Sequence, residues 1–176
     1  GRTRLNGGAG LGWGRDRVCV VAVGGCAGLG VAGLTTAAVS GTQGADVVVG
    51  TAGDFVIHGL GDHGALYALA GNGSFDRGSG NDYLDGGTGN DVYLFGRGSG
   101  QDTISDYDIT AGNLDTVQFA ADVNPGDVTV TRDSSNLYLS IAGSDDRLTL
   151  ENWFNGDAYP VEQGEFADGP GWDAAV

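Results

Sequence analysis

At 176 residues and 17.8 kDa the chain has room for one domain, or for a repeat region with a small companion. Glycine fills 35 positions, far above the usual share of about 7%, yet only 3 prolines and no Gly-x-y period exclude a collagen-type helix. A net charge of −15 excludes nucleic acid and anionic membrane as natural partners, because binding phosphate needs clustered Lys and Arg. Cations are the natural counterpart.

The charge is uneven along the chain. Residues 1–40 hold four Arg and one acid, Asp16, whereas residues 41–176 hold four Arg and 22 acids; the two parts carry +3 and −18. The chain has no Met and begins at Gly1, and it reads as a piece of a longer or processed protein. In the first segment, GGAG (7–10) and GGCAG (24–28) echo the repeats described next, out of frame and without an acid. Residues 1–40 are therefore expected to be a degenerate, Gly-rich, poorly ordered stretch. Cys19 and Cys26 leave a disulfide open, and six intervening residues with no nearby His argue against zinc. Val18–Ala45 is uncharged and follows Arg15 and Arg17, but five glycines interrupt Val18–Val39, so no membrane span is expected.

From Gly41 the chain divides into six gapless nonapeptides: GTQGADVVV, GTAGDFVIH, GLGDHGALY, ALAGNGSFD, RGSGNDYLD and GGTGNDVYL. A seventh, RGSGQDTIS (97–105), follows two extra residues, Phe95 and Gly96. Every eighth place is apolar or aromatic: Val48, Ile57, Leu66, Phe75, Leu84, Tyr93 and Ile104. Nine is not a helical period, and each Gly would cost a helix about 1 kcal/mol relative to Ala. The pattern suits a short strand alternating with a tight glycine turn. Two such units make one coil, so units n and n+2 stack as a parallel right-handed β-roll. The expected fold class is all-β, with the roll over residues 41–108 and a small antiparallel β capping region over 109–176.

Stacked strands lie about 4.7–4.9 Å apart. Sixth-place carboxylates of units n and n+2 then face each other, and at roughly 5 Å they repel by about 3 kcal/mol at an effective dielectric of 20. Calcium accepts six to eight oxygens at about 2.3–2.6 Å and fits such a gap with help from turn carbonyls, whereas Mg2+ wants a stricter octahedron. One flank carries Asp46, Gly64, Asp82 and Asp102 at its sixth places; the other carries Phe55, Gly73, Asp91 and then Asp106 or Asp108. The candidate ligands are Asp82 with Asp102, and Asp91 with Asp106 or Asp108, in turns that include Gly80, Asn81, Gly89 and Asn90. The two-residue insertion is expected to loosen the first pair. Asp46 joins the candidates but faces Gly64 rather than a second carboxylate. The expectation is about two Ca2+ ions, bound toward the C-terminal half of the roll.

These units resemble G-G-x-G-x-D-x-U-x, the nonapeptide of the RTX (haemolysin-type calcium-binding) family. The match is close over 77–105, moderate over 41–58 and poor over 59–76. The resemblance implies a secreted, extracellular bacterial protein, export by the type I secretion machinery with an uncleaved C-terminal signal, and calcium as the partner.

After Asp108 the pattern turns to period two in TVQF (116–119), DVTVTR (127–132), LYLSIA (137–142) and RLTL (147–150), which reads as an antiparallel meander. Trp153, Phe154, Tyr159, Val161, Phe166 and Trp172 are expected to be core and cap. GQDTISDYD (100–108), LTLENWF (148–154) and EFADGPGWDAA (165–175) resemble the domain that often follows RTX repeats, with Pro170 and Gly171 as departures.

His58 and His63 read as surface residues, and no Ser/His/Asp order, HExxH or phosphate loop is present, so no enzyme is expected in this chain. The leading reading is a calcium-binding repeat module that folds on Ca2+ after export. The rival is the accessory C-terminal module of a secreted protease, lipase or alginate epimerase, with polysaccharide contact through Trp153 or Trp172. A third is a decayed remnant.

Overall fold

The computed structural model describes residues 17–20, 37–40, 43–50, 53–59, 61–169 and 171–173. Its strands form two sheets. The first contains, in spatial order, β1 (Arg17–Val20), β3 (Asp46–Val49), β5 (Ala65–Ala70), β7 (Tyr83–Thr88), β9 (Gln101–Ile104), β13 (Arg147–Leu150), β12 (Leu137–Ile141) and β11 (Val128–Arg132). The second contains β15 (Trp172–Asp173), β14 (Gln163–Glu165), β10 (Thr116–Phe119), β8 (Val92–Phe95), β6 (Gly73–Asp76), β4 (Phe55–His58) and β2 (Ala37–Ser40). Among the described residues the only helical turn is Pro125–Asp127, and no helix is long and apolar enough to cross a membrane.

From β1 to β10 the chain alternates between the sheets, and each strand pairs in parallel with the next one in its own sheet. The eighth-place residues stack in register: Val48 beside Leu66 and Leu66 beside Leu84 in one sheet, Ile57 beside Phe75 and Phe75 beside Tyr93 in the other. All seven are at most 1% exposed, as the repeat predicts. Burying an apolar side chain of this size stabilises by about 1.5–3 kcal/mol, so the ladder holds the coil together along its whole length. In the second sheet it is aromatic: Phe55 meets Phe75 edge-on at 5.8 Å, and Phe75 stacks on Tyr93 at 5.0 Å.

Two expectations need correction, while the segment 1–40 lies mostly outside the described residues. Strands β1 and β2 lie within residues 1–40 and extend the two sheets. The rest of that segment, including Cys26 and hence its pairing with Cys19, lies outside the described residues. TVQF is not part of an antiparallel meander; as β10 it pairs in parallel with β8. Finally, the parallel sheets run on past residue 108, because β13 pairs in parallel with β9 and β14 with β10. Only β11–β12–β13 and β14–β15 are antiparallel. Phe95 explains why the insertion does no harm. It is fully buried at the end of β8, and Gly96 turns the chain with its N–H on Ser99 Oγ at 3.1 Å, so Tyr83 still pairs with Thr103.

The aromatic residues near the C-terminus behave as core and cap. Phe166 stacks on Phe119 at 4.2 Å, Trp172 meets Phe119 edge-on at 5.4 Å, and Trp153 packs against the core. Phe154 instead lies under the guanidinium of Arg132, 3.4 Å from its carbon.

Close stacking of the turns restricts what their fourth places can hold. Gly80 and Gly100 sit at φ +128° and +91°, and a Cβ on either would collide with a backbone carbonyl of the coil below, Asp62 for Gly80 and Gly80 for Gly100. Gly98 also has positive φ, +82°, but open space around it. Replacing Gly98 by Ala therefore costs the backbone strain alone, about 1 kcal/mol, whereas Gly80→Ala adds a clash that separates two coils. Urea unfolding in calcium should show a clearly larger loss for Gly80→Ala, and equal losses would mean that the turns are not stacked this tightly.

Candidate cation sites

Strand alternation places the chemistry. Residues two apart share a face, so a sixth-place residue points inward with the eighth-place apolar one. Asp46, Asp82, Asp91 and Asp102 are accordingly buried, with Asp91 at 0% and Asp102 at 1% exposure. The register sets Gly64 beside Asp46 and beside Asp82, and Asp82 beside Asp102.

Two ladders of side-chain bonds tie neighbouring coils together. Sixth-place carboxylates reach back one coil: the Oδ1 of Asp82 accepts Gly64 N–H at 2.6 Å, that of Asp91 accepts Gly73 N–H at 2.6 Å, and that of Asp102 accepts Asp82 N–H at 2.9 Å. Fifth-place side chains reach forward instead. Asp54 accepts from Asn72 N–H, Asn72 from Asn90, Asn81 from Gln101 and Asn90 from Leu114, all at 2.8–3.0 Å. Asn81 and Asn90, expected near an ion, thus have their side-chain oxygens committed to backbone. The Asp82–Asp102 contact, at 2.9 Å, is longer than its uninterrupted counterparts at 2.6 Å but is still a hydrogen bond.

On the first flank, where the chain enters the first sheet, the row Asp82–Asp102 contains an arginine. Arg77 is 1% exposed, and its Nε donates to Asp102 Oδ2 at 2.5 Å. Burial weighs on both partners, pushing Asp102 up and Arg77 down, while the charge of each opposes the shift in the other. Asp82 is pushed up to about 6, first by burial, against the Gly64 hydrogen bond, then by the charge of Asp102. Asp146, which the sequence reading did not pick out, closes this flank by accepting Gly98 N–H at 2.9 Å and Gly100 N–H at 2.7 Å.

The second flank carries more negative charge. The neighbour of Asp91 across the sheet is neither Asp106 nor Asp108 but Asp115, whose Oδ1 accepts Asp91 N–H at 2.7 Å. Asp108 is committed elsewhere: its carboxylate accepts Gly89 N–H at 3.0 Å and Thr110 N–H at 2.7 Å, which outweighs its burial and holds it below the usual range. Asp106 does come in, 2% exposed, its carboxyl facing that of Asp115 and accepting from no N–H or O–H donor among the described residues. The Oδ2 of Asp91 and the hydroxyl of Tyr93 are buried without a partner among the described residues. Both crowd the place where Gly86 has no side chain, and a Cβ there would strike them. Glu162 borders the group and accepts Asp115 N–H at 2.7 Å.

Asp91 is pushed up to about 7, by burial first, against the Gly73 bond, then by Asp115, Asp108 and Asp85. Asp106 is raised strongly by burial and by the facing Asp115. Asp106 and Asp115 face each other too closely for both to be ionised with nothing between them: either they share one proton or a cation takes its place. Among the described residues no three His, Cys, Asp or Glu side chains form a ready-made metal cage, so an ion here would have to complete its shell with the Tyr93 hydroxyl and turn carbonyls. The oxygen-only donor set and the orphaned buried oxygens fit a hard cation such as Ca2+. The histidines stay outside: His58 lies 3.2 Å from Asp76 and His63 3.1 Å from Asp62, both at the surface.

Asp115 and Glu162 were missed from sequence. A signal for Asp115 exists: Asp91-Val-Tyr-Leu-Phe95 recurs in outline as Asp115-Thr-Val-Gln-Phe119.

Residues 136–176 match the model of the haemolysin-type calcium binding protein related domain. The chain is also similar to the iron-regulated protein FrpA of Neisseria meningitidis serogroup C, 33% identical over 87 residues. That stretch is 48% of this chain and 8% of that protein, so the chain spans a small fraction of its relative's length.

The raised carboxylates give a pH prediction for the calcium-free protein. The unfolded chain releases these protons near the ordinary value of 3.8, whereas the folded chain keeps them until about 6 at Asp82 and about 7 at Asp91. The folded state binds more protons in that window, so its stability falls as pH rises from about 4 to about 7. Calcium-free protein followed by circular dichroism should gain β structure on acidification from pH 8 to pH 5. A flat or opposite response would remove the buried carboxylates as the source of its instability.

Proposed function

We propose, from the likeness to the haemolysin-type calcium-binding related domain, that this chain is the calcium-binding repeat module of a secreted bacterial protein and folds on Ca2+ after export. The observation that carries the reading is the second flank, where Asp106 and Asp91 present buried oxygens beside Asp115 that no N–H or O–H donor among the described residues reaches. Asp91, Asp106 and Asp115 would close round the ion as it enters, since among the described residues no three acidic side chains form a cage beforehand, with the Tyr93 hydroxyl at hand. The ion supplies positive charge where burial otherwise forces a proton onto a carboxyl.

Magnitudes favour a switch. Two carboxylates about 5 Å apart repel by about 3 kcal/mol at an effective dielectric of 20. An ion present at about one to ten times its dissociation constant stabilises the native state by about 0.4–1.4 kcal/mol per site. Extracellular calcium modules work with dissociation constants near 10⁻⁴–10⁻³ M, so millimolar calcium outside a cell and its scarcity inside fall on opposite sides of the balance. The chain would leave the cytosol expanded, in keeping with type I secretion, and close outside. In a larger exported protein, enzyme or not, the module would serve as its C-terminal folding element.

Circular dichroism at pH 7.5 should show a largely unfolded chain in chelator and β structure in millimolar Ca2+; equal structure in both would refute the switch. Asp115→Asn should weaken calcium affinity at least tenfold by isothermal titration while Asp54→Asn leaves it unchanged.

A further inference from the structure

The two flanks are built alike but filled oppositely. On each, the residue that opens a repeat unit turns inward next to the sixth-place carboxylates. On the second flank the place after Ser105, which would open an eighth unit, holds Asp106, buried, facing the Asp115 carboxyl and reached by no N–H or O–H donor among the described residues. On the first flank the fifth unit opens with Arg77, whose Nε lies 2.5 Å from Asp102 Oδ2. The guanidinium carbon stands 5.3 Å from the centre of the Phe95 ring, which floors it. Asp102, Asp82 and Asp76 are the charges that act on it, all acidic. Arg97 opens the seventh unit but is exposed and donates to Ala142 O at 2.8 Å, because the inserted Phe95 has taken the inward place ahead of it.

We propose that Arg77 is a built-in counter-cation that takes the place of a calcium ion in the Asp82–Asp102 row, so that Asp102 is paired without metal, one carboxylate rather than two is left to balance there, and calcium is confined to the Asp91–Asp106–Asp115 flank. The chemistry is that of a fixed monovalent cation in place of an exchangeable divalent one. A guanidinium is always charged and donates to carboxylates with a definite geometry, and its bulk occupies the space between the carboxylates. The cost is a buried ion whose Nη1 and Nη2 lack partners among the described residues. The gain is a pair of coils held together before any calcium arrives. The proposal rests on the calcium reading only in naming the second flank as the ion's place.

The test counts ions by equilibrium dialysis with ⁴⁵Ca2+ on the full chain and on three variants. Arg77→Gln should bind one calcium more than the parent, Asp82→Asn should bind as many as the parent, and Asp106→Asn should bind one fewer. An unchanged count in Arg77→Gln, or one ion lost in Asp82→Asn, overturns the proposal. Should Arg77→Gln fail to fold even in calcium, the Asp82→Asn count decides alone. If the parent binds no calcium, the calcium reading falls; the counter-cation then stands if Arg77→Gln gains an ion and falls if it does not.

Discussion

Everything in this fold follows from one conflict: the alternation that buries the eighth-place apolar residue also buries the sixth-place carboxylate. A strand cannot send one of these inward without the other, since both lie on the same face. The apolar ladder is what holds successive coils together, and it draws a row of negative charges into the same interior. Burial of Asp82, Asp91, Asp102 and Asp115 is therefore imposed by the packing of Leu84, Tyr93, Ile104 and Val117. The molecule manages the charges in three ways. Backbone N–H groups of the coil below solvate one oxygen of each carboxylate. Arg77 pairs with one carboxylate, Asp102, of the first row. The other row is left short of positive charge.

The turns answer the same conflict from outside. Fifth-place Asn and Asp side chains bond forward to the next coil while sixth-place carboxylates bond back, so the contacts that begin at Asn72, Asn81 and Asn90 are stapled in both directions. Because those staples use backbone N–H groups, they tolerate variation at the remaining turn positions, and Asn72, Asn81 and Asn90 perform the same task in units that otherwise differ. Glycine at the fourth place lets turns approach until a carbonyl of one coil touches the Cα of the next.

The parts of this architecture with a fixed period were legible in the sequence. Nine-residue spacing identified the seven core residues and the pairing of Asp82 with Asp102, because strand register converts spacing directly into contact. What was not legible lies where the period breaks. The step from Asp91 to its neighbour is 24 residues rather than 18, since the loop between β9 and β10 is longer than a repeat turn, and counting forward led to Asp106 and Asp108 instead of Asp115. Thr116–Phe119 looked like the start of a meander because period-two alternation is the same in parallel and antiparallel strands; only its partner, β8, tells them apart. The inward turn of Arg77 was hidden for another reason. The units that begin at Arg77 and Arg97 read alike, and the difference comes from the inserted Phe95, which precedes Arg97 and lies eighteen residues from Arg77 in its own row.

Alternate winding also constrains how such a chain can change in length. A coil consists of two units, so a gain or loss of one nonapeptide would transfer every residue on one side of the event to the opposite sheet. Arg77 would then stand on the flank of Asp91, and rows of like charge would be recombined with the wrong neighbours. Duplication of eighteen residues leaves both flanks intact, and short insertions such as Phe95-Gly96 survive because a turn can absorb them without moving the strand register. The heritable element of this fold is therefore the full coil, and a history of repeat gain and loss should be written in multiples of it.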